Sequence, residues 1–74
     1  MTNGELKQRI IQLQKELSGL RAAQEENERI ASLDIADPAI RQSAKDNLPK
    51  IKEQIDLTME KMVQAENTLH HRTF

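Results

Sequence analysis

The sequence predicts an all-α protein: an antiparallel, coiled-coil-like hairpin of two long helices, assembled with further copies into a helical-bundle oligomer. Three observations carry that reading. Leu6, Ile10, Leu13, Leu17 and Leu20 step by four, three, four and three, which keeps one apolar stripe on one side of a helix. Leu48, Ile51, Ile55, Thr58, Met62, Ala65 and Leu69 repeat the pattern in the second half of the chain. Between the stripes, Asp34-Ile35-Ala36-Asp37-Pro38 is the strongest turn signal present.

The first helix is expected over about residues 3–33. Thr2-x-x-Glu5 can form a capping box, with Asn3 as a rival cap. From Glu5 to Leu33 there is no Pro, and the one Gly, Gly19, costs about 1 kcal/mol relative to Ala. Glu5/Arg9 and Glu25/Arg29 add favourable pairs four apart. Beyond Leu20 the stripe weakens: Gln24 and Asn27 hold its next positions, and the apolar residues move to Ala23, Ile30 and Leu33. Polar residues there can fix register at a cost in stability. The favoured alternative is that the helices splay and both side chains reach water.

The turn is expected over about residues 34–37. Asp37 followed by Pro38 reads as an N-cap and a first helical residue, because proline has no amide to waste at that position. A connection this short favours an antiparallel hairpin. Folding the chain about Ala36 sets Leu20 beside Lys52, Leu17 opposite Ile55 and Leu6 near Glu66, so strong seam meets strong seam.

The second helix is expected over about residues 38–72, interrupted near 47–49. Pro49 removes a backbone hydrogen bond and crowds the preceding turn, which predicts a kink or a break. Residues 38–47 would then form a short separate helix, with Asp46 or Asn47 hydrogen-bonding at the break. Residues 1–74 form a single domain.

Composition bounds the function. The 74 residues (8.5 kDa) carry eleven Lys and Arg against twelve Asp and Glu, a formal charge of −1. No strong field points to nucleic acid or an acidic membrane. Residues 1–33 hold five basic and five acidic groups and residues 34–74 hold six and seven, so charge is not segregated. The single aromatic is Phe74, which leaves no base-stacking platform inside the domain. There is no Cys, hence no disulfide, thiolate metal site or thiol chemistry. The N-terminus has no basic region leading into an apolar run, so a cytoplasmic location is expected, with no membrane span. A chain this small buries only about 60 % of its unfolded surface and has no staple, which predicts self-association.

Candidate contact residues follow from the helical wheel. With Leu48 at zero and ~100° per residue, the second seam occupies about 260–340°. Met59 and Val63 fall at about 20° and 60°, widening the apolar stripe to ~160°, more than one partner helix needs. Ile11 and Leu57 lie off their seams at similar heights, and with Met59 and Val63 they are the candidate partner face. Single exposed apolar residues are otherwise ordinary. Arg41, Lys45 and Lys52 align at about 20–60° on the same wheel and are candidate anion contacts. The plainer account is a solvated face, with Asp37 pairing Arg41 and Asp56 pairing Lys52.

Chemistry is sparse. Glu66 and His70 are four apart, but a structural metal site needs four ligands and no second cluster exists, so neither metal nor cofactor is expected. His70, His71 and Arg72 suit a helix C-terminus, where positive charge is favourable. Ser18, Ser32 and Ser43 sit in helical stretches without an oxyanion-hole context, and no catalytic residue is assigned.

The expected function is a non-catalytic, self-associating helical protein acting through protein–protein contacts, as adaptor, inhibitor or assembly factor. The alternative is an oligomer that sequesters a small anionic ligand such as a nucleotide between protomers, a mode open to small mobile-element proteins. A nucleic-acid accessory role is the third class.

Overall fold

The computed structural model describes residues 2–73, with side chains through His71. It contains two helices, α1 (Asn3–Ser32) and α2 (Pro38–Thr73), folded back on each other as an antiparallel hairpin. The rod measures 55 × 15 × 15 Å. A helix of 36 residues rising ~1.5 Å per residue is ~54 Å long, so α2 alone spans it.

Each helix start is capped as its sequence dictates. Thr2 is extended (φ −77°, ψ 164°), its Oγ1 accepts from the Glu5 amide at 3.1 Å, and its carbonyl accepts from the Leu6 amide at 3.0 Å. Asn3, the rival cap, is instead the first helical residue. Asp37 Oδ1 accepts from the Ala39 amide at 2.8 Å and the Asp37 carbonyl from the Arg41 amide at 2.9 Å. Pro38 takes the first helical position, where its missing amide costs nothing.

The turn is equally determined. α1 ends at Ser32, and Leu33 leaves the helix with φ −78° and ψ 114°. The Leu33 amide donates to the Ile30 carbonyl at 3.2 Å, and the Ala36 amide donates to the Leu33 carbonyl at 3.2 Å. The second bond closes a four-residue turn over 33–36.

Pro49 does not divide α2. The interruption expected near 47–49, with a separate helix over 38–47, is replaced by one helix running through the proline. The bond lost is the one to the Lys45 carbonyl, and it falls on the solvent side of α2, where Lys45 and Pro49 are both exposed. Leu48 and Ile51, on either side, are half-buried and keep both halves on the seam. Asp46 and Asn47 cap no break: Asp46 Oδ1 accepts from Gln42 Nε2 at 2.9 Å, and Asn47 reaches across to α1.

The two stripes form the core. Leu6, Leu13, Ala44, Ile55 and Ala65 are buried, as is Thr58, whose hydroxyl donates to the Gln54 carbonyl at 2.8 Å. Ile10, Leu17, Leu20, Leu48, Ile51, Met62 and Leu69 are half-buried on the same stripes. Ala44 continues the second seam one turn towards the tip, where Ala23, Ile30, Ala31 and Ala36 are also half-buried. Leu33 does not join them; as the residue that leaves the helix, it is exposed. Among the described residues no side chain is completely enclosed, because two helices have no third surface to close their seam.

Candidate functional site

The hairpin has two open sides, flanking the plane of its two helices, and they differ. On one, Glu28 of α1 lines a groove of about 620 Å³ with Lys45, Pro49 and Lys52 of α2. Further from the tip, Leu17 lines a smaller groove of about 120 Å³ with Met59, Met62, Val63 and Glu66. Wheel positions explain why these residues meet. With Leu6 at zero, Leu17 and Glu28 lie at about 20° and 40°; with Leu48 at zero, Lys45, Lys52, Met59 and Val63 lie at about 20–60°. In an antiparallel pair of right-handed helices, positive displacements from the two seams point to the same side.

The candidate partner residues therefore do not form one face. Met59 and Val63 are 43 % and 54 % exposed and share the groove side, and Ile11, at about 140° on the α1 wheel, lies on its outer rim. Leu57 is as exposed as Met59 at 43 %, but sits ~160° round α2 on the opposite side. That opposite side is polar near the tip. Asn47 Nδ2 donates to Asn27 Oδ1 at 3.5 Å, and Asn27 Nδ2 donates to the Ala23 carbonyl at 2.7 Å.

The candidate anion contacts are brought together in part. Lys45 and Lys52 border one groove, while Arg41 is half-buried a turn nearer the tip, its Nε buried without a hydrogen-bond partner. Glu28 and Gln24 complete the lining, so the groove already contains a carboxylate against the two lysines. A second anion entering it would compete with Glu28. Asp37, expected to pair Arg41, spends its Oδ1 on the Ala39 cap.

Two features escaped the residue pattern. Ile35, at the tip, is 94 % exposed, and Leu33 and Ile40 are exposed near it. Turn residues have no periodicity from which exposure can be read. The other is the small Ala44, buried on the seam one turn beyond Leu48.

The remaining chemistry is thin. Among the described residues no group of three or more His, Cys, Asp or Glu is placed to hold a metal ion. His70 and His71 stack edge to face with ring centroids 6.3 Å apart, and the Arg72 side chain lies outside the described residues. No helix of the described residues is long and apolar enough to cross a membrane. Comparison with protein-family models, with curated proteins and with solved structures gives no match in any of the three.

Proposed function

We propose that this chain is a non-catalytic, self-associating helical hairpin that acts by binding protein, as an adaptor, inhibitor or assembly factor. The observation that carries the reading is the exposed apolar pair Met59 and Val63, beside a seam that α1 already occupies. Transfer of such side chains from water is worth about 25 cal/mol per Å² of apolar surface, so a further helix laid on them gains stability.

Surface area supports the same reading. The chain exposes 5620 Å², whereas a compact monomer of 8.5 kDa exposes only about 4700 Å². The surplus reflects a rod without a third layer. Adaptable methionines at positions 59 and 62 suit a surface that repacks around its partner.

The nucleotide-sequestering alternative is disfavoured by Glu28, which already faces the lysines that would hold phosphate. Light scattering at micromolar concentration tests the proposal. A particle heavier than one chain is expected; a stable monomer of 8.5 kDa would remove the self-association on which it rests.

A further inference from the structure

We infer that the occupant of the grooved side is a second copy of this chain, seated face to face about a twofold axis parallel to the rod, with α2 of each copy lying on α1 of the other. This rests on the self-association reading and specifies its geometry.

Two arguments fix the occupant. The first is area: one side of the rod, 55 by 15 Å, presents ~800 Å², about what each partner contributes to a standard interface. The second is charge. From tip to open end, the grooved side of α2 runs Arg41, Lys45, Lys52, Asp56, then Met59 and Val63, then Glu66 and His70. All lie within about 0–80° on its wheel. The same side of α1, in the same direction, runs Arg29, Glu28, Glu25, Arg21, then Ile11, then Lys7, within about 40–140° on its own wheel, with Arg29 and Ile11 at its outer rim. Apart from Arg29 at the rim, the sign alternates oppositely along the two helices. The Asn27–Asn47 contact marks their relative height, and each opposite-charge pair (Lys45 with Glu28, Lys52 with Glu25, Asp56 with Arg21, Glu66 with Lys7) then falls within about one helical turn.

Charge also chooses between the two ways of stacking like faces. An axis parallel to the rod keeps heights unchanged, so each pair recurs between copies while Met59 and Val63 sit over the Ile11 region of the partner chain. An axis across the rod reverses heights and lays α2 on α2. Matching the apolar pair to itself then sets Asp56 against Glu66 and leaves Arg41 and Lys45 unopposed. Matching the charges instead puts Met59 over Lys52. Of the two, the parallel axis satisfies both patterns, with Arg29 at the rim the one like-charge neighbour of Lys45, and like-charge juxtaposition is costly.

The test uses two charge-reversal variants made separately, Lys52→Glu and Glu25→Lys, with association followed by sedimentation velocity and helix content by circular dichroism. Each alone is expected to weaken association at least tenfold at low salt. Mixing the two should restore it, because in the mixed dimer both contacts are again between opposite charges. Helix content of each single variant checks its folding. Should either fail to fold, Met59→Cys and Gln14→Cys in the cysteine-free chain replace them, with a cross-link expected between the two variants on mixing. A native dimer with no restoration, or cross-linking mainly of Met59→Cys to itself, would overturn this geometry while leaving self-association standing. A native chain that sediments as a monomer would overturn both.

Discussion

Asn47 donates from Nδ2 to Asn27 Oδ1 across the two helices, near the tip and on the side away from the grooves. At 3.5 Å the bond is long, and its exposure lets water compete, so its net worth is at most about 1 kcal/mol. Asn47→Ala should therefore lower the thermal midpoint by no more than a few degrees. Asn27→Leu should raise it, because a half-buried amide on the seam gives way to an apolar side chain. Thermal circular dichroism reads both; a large loss in Asn47→Ala would mean that the pair pins the register.

The seam is not uniform along α1. Leu13 is 5 % exposed, whereas Leu17 is half-buried beside the smaller groove. Truncating a buried Leu to Ala costs about 2–5 kcal/mol, and a single core this small supplies only ~3–5 kcal/mol. Leu13→Ala should remove most helical signal at 37 °C. Leu17→Ala should lose less helix but weaken association as well. Ile11→Ala, off the seam, should leave helix content nearly intact. If Leu13→Ala and Ile11→Ala melted alike, the heptad assignment would be wrong.

Two residues weaken the helices without touching the core. A Cβ built on Gly19 meets no atom within 4 Å, so Gly19→Ala should stabilise by about 1 kcal/mol. Pro49→Ala restores the donor for the Lys45 carbonyl on an exposed turn, for a gain of up to about 3 kcal/mol. Urea unfolding midpoints measure both. A loss of stability in Pro49→Ala would mean that the proline sets a bend on which the packing of α2 depends.

The hairpin was legible because its determinants are local or periodic. Thr2, Asp37 and Pro38 fix helix starts within a few residues, and the four-three steps from Leu6 and from Leu48 mark the buried stripes. Of the kink or break expected at Pro49, the break does not occur, because the cost of one missing bond is local and half-buried residues on both sides of it keep α2 on the seam. Leu57 looks like Met59 in the sequence because an apolar residue off the seam does not declare its side; its wheel angle, set against the grooves, separates them. Ala44 does not stand out in the sequence because a small side chain adds little to an apolar stripe, yet it is buried near the tip.

Met59 and Leu57 provide the most direct test of the central claim. They are two residues apart on one helix, equally exposed and similarly apolar, and they differ chiefly in the side they face. Sedimentation equilibrium at micromolar concentration should find the native chain heavier than 8.5 kDa and Leu57→Lys unchanged, with Met59→Lys shifted towards one chain. Equal masses for the two variants, or a native chain already at 8.5 kDa, would contradict the assignment of the grooved side as the surface through which this protein associates.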